Sequence, residues 1–465
     1  KKLKQLILLV VLLNISLTWG QTGTEFWFAA PDVTSAHGDR PIFLRISSHS
    51  APVVVVISQP ANPGFTPITI NLGINQTYSQ DLTSFISIIE NSPSNTVLTY
   101  GLHIESTNLI SAYYEVKSAD NNTDIFTLKG ENALGVDFVI PAQTYFYNVS
   151  NYNPTPYTSV DIVATEDNTV ITFDPNGNSI YTPSSTNGTT NPITITLNKG
   201  ETYSIRAIFP SNSLGGTYKL PGSYVTSSKP IAVTLKDDSA RHQSYGYCED
   251  LVGDQLIPTN IIGTEYIVVK GFLQSGSTPL LDRIYVTAVE NNTKIYVNGA
   301  ATPVATINRG QQYELTLSNP STHIQADKNV YVIHITGFGC EIGMAVLPPL
   351  YCTGSSSVSF TRSNSYNFYL ILLVKAGGQG QFFINGDNSL ISASDFTSVP
   401  GTNDQWKQAR IFFNGSEIEA GKNYILTNSN SLFHAGLING ENYKGCMYGY
   451  FTDFGNIGPI VIYHF

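Results

Sequence analysis

The sequence predicts an all-β chain of four tandem, related β-sandwich-like units with very little helix. Three observations predict it. A glycine, a polar pair and then alternating β-formers recur at Gly23-Thr24-Glu25-Phe26-Trp27-Phe28, Gly135-Val136-Asp137-Phe138-Val139-Ile140 and Gly263-Thr264-Glu265-Tyr266-Ile267-Val268, and faintly at Gly354-Ser355-Ser356-Ser357-Val358-Ser359. Turn signals return at matching places behind each start. Helical periodicity is nearly absent, the best candidate being a short turn around Asp81 to Glu90. Repetition on this scale describes related β-units rather than one large catalytic fold, and it biases function towards binding.

The elements follow in chain order. Lys1-Lys2-Leu3-Lys4, the apolar run Leu6 to Leu13 and Thr18-Trp19-Gly20 describe a secretory signal peptide over 1–20, cut after Gly20. A membrane anchor needs roughly 18 apolar residues, and Asn14 and Ser16 interrupt the run too early. The units are then expected at 21–134, 135–262, 263–353 and 354–465. Within them, Asp161 to Phe173 and Arg283 to Val297 read as strand, tight polar turn, strand, because Asn and Asp tolerate left-handed angles. Asn176-Gly177, Asn298-Gly299 and Asn385-Gly386 are hairpin cues. Gly200 to Tyr203, Gly310 to Tyr313 and Gly421 to Tyr424 repeat a Gly-x-x-Tyr of which unit 1 keeps only Tyr78, and the tyrosines read as core. Each unit is expected to close with a turn and a final strand, at Ile104–Ile110, Val225–Ile231 and Ile324–Val330, and more loosely at Ser429 to Leu437.

Composition limits the partners. Charged residues are 12% of the chain, and the net charge is −10 with a pI near 5.2. Such a surface repels a phosphate backbone, so nucleic acid is excluded. Four cysteines, Cys248, Cys340, Cys352 and Cys446, imply two disulfides in an exported chain. The favoured pairing is Cys340 with Cys352 and Cys248 with Cys446; a bracketing scheme, Cys248 with Cys340 and Cys352 with Cys446, stands beside it. No CxxC or histidine at ligand spacing supports zinc.

Three stretches together resemble the N-terminal domain family of the IgG Fc-binding proteins, in its bacterial secreted members. They are Gly23-Thr24-Glu25-Phe26-Trp27, then Asp254-Gln255-Leu256-Ile257-Pro258 running to Gly263-Thr264-Glu265-Tyr266, and Gly339-Cys340-Glu341 running to Leu347-Pro348-Pro349 with Cys352-Thr353-Gly354. Cys446-Met447-Tyr448-Gly449-Tyr450 also fits, and the resemblance spans about Gly23 to Gly455. It implies a secreted all-β binding or adhesion module with no catalytic residues to carry over. Immunoglobulin binding would be an inference from the family's label.

The densest polar cluster is Lys236-Asp237-Asp238-Ser239-Ala240-Arg241-His242 with Cys248-Glu249-Asp250 and Asp254. Asp237, Asp238, Arg241, His242, Glu249, Asp250 and Asp254 are the candidate ligand-binding residues, read as an inter-unit loop. Its acidic oxygens are able to hold Ca²⁺, the one cofactor the sequence suggests; the bland reading is a solvated loop tied by its disulfide. Asp174-Pro175-Asn176-Gly177-Asn178 lacks the glutamate a Ca²⁺ loop needs. No Gly-x-Ser-x-Gly, His-Glu-x-x-His or P-loop occurs, so no enzyme is expected. Sequons at Asn75, Asn121, Asn148, Asn187, Asn291 and Asn414 are read as by-products of Asn/Thr-rich turns. The expected function is a secreted or cell-surface binding and adhesion protein that takes a glycan or glycoprotein through inter-unit loops. A structural spacer or matrix component is the alternative, and a polysaccharide-acting enzyme stands third.

Overall fold

The computed structural model describes residues 21–455 except 119–120, 150, 184, 209–217, 243–247, 276–277, 280–281 and 352. The expected signal peptide and Cys352 lie outside the described residues. The chain is all-β, with helix confined to short 3-10 turns such as Thr83–Ile88, inside the stretch expected to turn. No helix among the described residues is long and apolar enough to cross a membrane.

Unit 1 shows how each repeat is built. Its strands are β1 (Thr22–Phe28), β2 (Ile42–Ser48), β3 (Val53–Ser58), β4 (Ile68–Leu72), β5 (Thr77–Asp81), β6 (Leu102–Val116) and β7 (Asp124–Thr127). The fifteen-residue β6 is the common strand of the unit's seven-stranded sheet. Its first half pairs with β1 and β3, and β3 with β4; its second half pairs with β2 and β7, and β2 with β5. All these pairings are antiparallel. The polar stretch Glu105–Asn108 was expected to be a turn before a final strand. It is instead an irregular middle, where the register against β1 shifts. Pairing stops at Thr107–Leu109 and resumes beyond them, so the two paired halves hold the strand on either side of that break.

Units 2 and 3 repeat the plan with long strands Tyr224–Arg241 and Ser321–Gly339. Pro230 falls in the irregular middle of the first, where the ladder needs no amide donor from it. In unit 4 the long strand is broken into Asn423–Asn428 and Phe433–Gly440, which explains the loose repeat there. The Asp161–Phe173 motif is strand, turn, strand as read, but its strands never pair with each other. Thr158–Ala164 joins the second half of the long strand and Thr169–Asp174 the first, so the turn arches from one half of it to the other. The three Asn-Gly hairpin cues at 176–177, 298–299 and 385–386 take positive φ at both positions, as their residue types allow. Of the recurring tyrosines, Tyr424 is buried and Tyr203 and Tyr313 pack partly on the core, whereas Tyr78 is exposed.

The four units close on themselves. The last strand of each, β7, Glu249–Gln255, Glu341–Val346 and Cys446–Tyr450, packs against the next, and the fourth packs against the first. Side-chain cores follow the same circuit. Leu251 of unit 2 enters the core of unit 1, Tyr331 and Ile333 of unit 3 that of unit 2, Ile371 and Trp406 of unit 4 that of unit 3, and Tyr113 and Ile125 of unit 1 that of unit 4. Two glycines let the inner strands approach: a Cβ on Gly253 would lie 2.3 Å from Phe126, and one on Gly343 2.6 Å from the Cβ of Tyr448.

Cys248 bonds Cys340, joining units 2 and 3. This corrects the favoured pairing. Neither the Cys340–Cys352 staple nor the Cys248–Cys446 clasp forms, and Cys446 is a free, buried thiol. Of the bracketing scheme only the first bond is present. The closing strands explain the choice, because Glu341–Val346 follows Glu249–Gln255 around the ring and brings Cys340 against Cys248. A link closing 92 residues stabilises by up to about 4–5 kcal/mol in the chain-entropy picture. We expect Cys340→Ser to lower stability to denaturant by about 2–5 kcal/mol. Thiol titration without reductant should leave Cys446 silent in the folded protein and detect it on unfolding; a silent denatured chain would contradict this pairing.

Candidate functional site

The predicted polar cluster is not a solvated loop. Asp237 and Asp238 lie in a bulge of the unit 2 long strand, where the register shifts before Ala240 and Ser239 takes a positive φ. Both are buried. Asp237 sits 2.7 Å from Lys219 Nζ and also accepts from Asn148, Thr158 and Gln143. Asp238 accepts from the Thr34 amide at 2.8 Å and from Asn122 at 3.0 Å, tying unit 2 to unit 1. Burial pushes the Lys219 amine down while the Asp237 charge holds it up. The buried sequon residue Asn148 is part of this network.

Asp250 and Asp254 lie on the closing strand and face the neighbouring units. Asp254 meets Lys129 Nζ at 2.7 Å, the Thr127 amide at 3.2 Å and the Val346 amide at 3.0 Å, so one carboxylate links units 1, 2 and 3. Asp250 accepts from the Ile342 amide at 2.8 Å. Asp124 completes the set with the Tyr448 and Gly253 amides, both at 3.2 Å. Asp237, Asp238 and Asp254 thus have their oxygens occupied by internal donors. Cys248, Cys340 and Glu341 each bring a potential metal-ligand atom within 4.8 Å of the others, but the two sulfurs are bonded to one another.

Arg241 and His242 keep partial exposure, whereas Glu249 is buried. Arg241 meets Glu249 at 2.8 Å and donates to Tyr147 at 2.7 Å. Glu249 accepts from Tyr152 at 2.6 Å, and His242 meets the Tyr145 hydroxyl at 2.7 Å. The sequence therefore gathered three groups that the fold separates: a buried cation pocket, the inner ring and this aromatic rim.

Clefts open at two other borders. Between units 3 and 4 a cleft of about 470 Å³ is lined by Tyr351, Trp406, Lys375, Asn430 and His434. The Tyr351 ring is 66% exposed and its hydroxyl is tethered to Glu265. Trp406 and His434 are buried, with ring centroids 5.8 Å apart; burial holds His434 neutral, its pKa pushed down to about 4. Between units 1 and 2 a second cleft of about 480 Å³ is lined by Arg206, Tyr157, Tyr181 and the Ser92–Thr96 segment. Sequence reasoning missed both. Their residues come from different units, and only an isolated aromatic beside a predicted border could have pointed to them.

The described strands thus close into a ring with polar-aromatic clefts at its borders. Residues 124–437, about two thirds of the chain, match the family described as IgGFc binding protein, and the chain belongs to that family. It is a family of binding proteins rather than of enzymes. A search of curated proteins finds no match. Two solved structures of Bacteroides uniformis β-glucuronidase 2 align weakly. A calcium-binding mutant aligns over 58% of this chain and 32% of that one at 12% identity, with a TM-score of 0.13. The enzyme covalently bound to cyclophellitol-6-carboxylate aziridine aligns over 56% and 32% at 13% identity, with a TM-score of 0.12. The chain spans about a third of those proteins, and a likeness this weak carries no argument about fold or activity.

The inner ring makes a pH prediction. Asp250 faces Glu341 across the border of units 2 and 3, and two buried carboxyls side by side cannot both ionise. Burial, then the Glu341 charge, pushes Asp250 well above the usual carboxylate range, and burial pushes Glu341 up to about 7. A raised carboxyl contributes stability that is full below its unfolded value and is lost as pH rises through its folded one, here between about 4.5 and 7. Buried His49 and His434, both pushed down to about 4, act oppositely and lose their contribution as pH falls. Wild type and Glu341→Gln share those histidines, so their difference isolates the Asp250–Glu341 pair. From pH 5 to pH 8 the variant should gain on the order of 2 kcal/mol relative to wild type in urea unfolding. A constant gap would mean that the pair does not titrate there.

Proposed function

We propose that this chain is a secreted or cell-surface binding and adhesion protein, and that it takes a glycan or glycoprotein at the borders between its units. The observation that carries the reading is the cleft between units 3 and 4. An exposed tyrosine ring, fixed by its own hydroxyl, offers a flat face for the C–H side of a sugar. Asn430, Ser431 and Lys375 supply polar groups for its hydroxyls. Family membership supports a binding role, and the family's description names a glycoprotein, the IgG Fc, as a ligand. The part-exposed Arg241 and His242, with buried Glu249 behind Arg241, offer a further contact surface at the border of units 2 and 3. The second reading is a spacer or matrix component, favoured by the continuous packing of unit on unit.

A glycan array together with pull-down from mucus tests the proposal. Tyr351→Ala should weaken binding at least tenfold while leaving the thermal unfolding midpoint unchanged, since the ring buries little. Binding unaffected by this change moves the site elsewhere, and no binding to any glycan or glycoprotein favours the spacer.

A further inference from the structure

We propose that the cleft between units 1 and 2 receives an acidic sugar, whose carboxylate or sulfate ester is held by Arg206. The inference rests on the glycan reading above and adds a ligand class at a second site.

Arg206 ends the strand Thr202–Arg206, paired to Ser159. Its guanidinium lies 3.8 Å from the Tyr181 ring centroid and 4.9 Å from that of Tyr157. Two aromatic faces fix the plane of a cation without using its hydrogen-bond donors. Those donors are unspent. Buried Nε has no hydrogen-bond partner, and no carboxylate lies within ion-pair distance of Arg206 among the described residues. The other arginines differ. Arg40, Arg45, Arg241, Arg283 and Arg309 each meet a carboxylate, and Arg362 and Arg410 meet backbone carbonyls. Arg206 alone is oriented and unpaired, and it lines a cleft.

The neighbouring acids do not supply the missing partner. Asp32 accepts from the Tyr157 hydroxyl at 2.6 Å, and its backbone carbonyl accepts from Lys236 Nζ at 2.6 Å. Lys236 Nζ also lies 3.9 Å from the Tyr157 ring centroid, so a second cation stands behind that ring. Burial pushes Asp161, two residues from Ser159, up to about 7, which weakens it as a counter-ion. A planar guanidinium with free donors matches a carboxylate or sulfate in a two-point bond.

The rest of the cleft suits a sugar. Ser92, Ser94, Thr96 and Asn153 offer hydroxyl and amide groups, and about 480 Å³ accommodates one or two rings. The wall is rigid, because the Asn95 and Leu98 amides donate to the Ser204 and Thr202 carbonyls at 2.9 and 3.0 Å. The chain's net charge of −10 opposes long polyanions, but salt confines that field to about 8 Å, and a single anion in a cleft is governed by the nearest cation.

The test is calorimetric titration of the full chain with 3′-sialyllactose, a glucuronate-ended disaccharide and 3′-sulfolactose, with lactose as the neutral parent. At least one acidic sugar should bind tenfold or more tightly than lactose, and the first two against the third separate carboxylate from sulfate. Arg206→Gln should reduce that sugar to the lactose level. Thr96→Asp, an exposed change that places an anion in the cleft, should do the same at an unaltered unfolding midpoint, so the result stands even if Arg206→Gln folds poorly. Acidic sugars no tighter than lactose, or a preference kept by Thr96→Asp, overturn the inference. If neutral glycans still bind in a Tyr351-dependent way, the broader reading survives that failure. Binding of no sugar at all ends both.

Discussion

Ring closure rests on carboxylates that bond backbone amides across unit borders. Each closing strand pairs on one side with its own long strand, and among the described residues no other strand completes a ladder on its second edge. Buried amides on such an edge need acceptors. Asp124, Asp250 and Asp254 provide them, reaching Gly253 and Tyr448, Ile342, and Thr127 and Val346 in turn. Carboxylate acceptors make stronger bonds than neutral ones but are costly to bury. The Lys129 amine beside Asp254 offsets that cost at one border, and burial beside Glu341 pushes the Asp250 carboxyl up towards its neutral form at another.

This constraint also fixes where a ligand can bind. These acids occupy the second edges of the closing strands, and the border of units 2 and 3 is closed by the disulfide and by packed tyrosines. Among the described residues open volume remains where side chains from two units meet without interlocking, beside Tyr351, beside Arg206 and between Phe272 and Arg410. Rigid strands hold the first two clefts, so their geometry is set before any ligand arrives.

Much of the architecture was legible in the sequence. Strand alternation marked β1 and its repeats, and the Asn-Gly pairs marked left-handed turns, because both signals are local. The long strands were misread as turn plus strand. Ser227-Ser228-Lys229-Pro230 has turn composition, and the pairing that makes it the middle of one strand lies on either side of it, with partners dozens of residues away. The acidic cluster was noticed for its density, yet density carries no information about burial. Asp237 and Asp254 read as solvated because their cations, Lys219 and Lys129, lie 18 and 125 residues away in sequence. The disulfide was misassigned for the same reason, since ring order rather than spacing brings Cys248 to Cys340.

One feature of the ring has a mechanical meaning. The four borders are not fastened alike. Units 2 and 3 are joined covalently, whereas unit 1 meets unit 4 through non-covalent contacts, among them Gln21 to the Tyr450 carbonyl at 2.8 Å and Asn132 to Asp453 at 3.0 Å. Tension on the two ends of the described chain is carried first by that seam, which peels bond by bond while the stapled border bears no load. Under shear, such a protein yields at a known place and re-forms there, and the cleft beside Arg206, one border away, enters the force path only after the seam has opened.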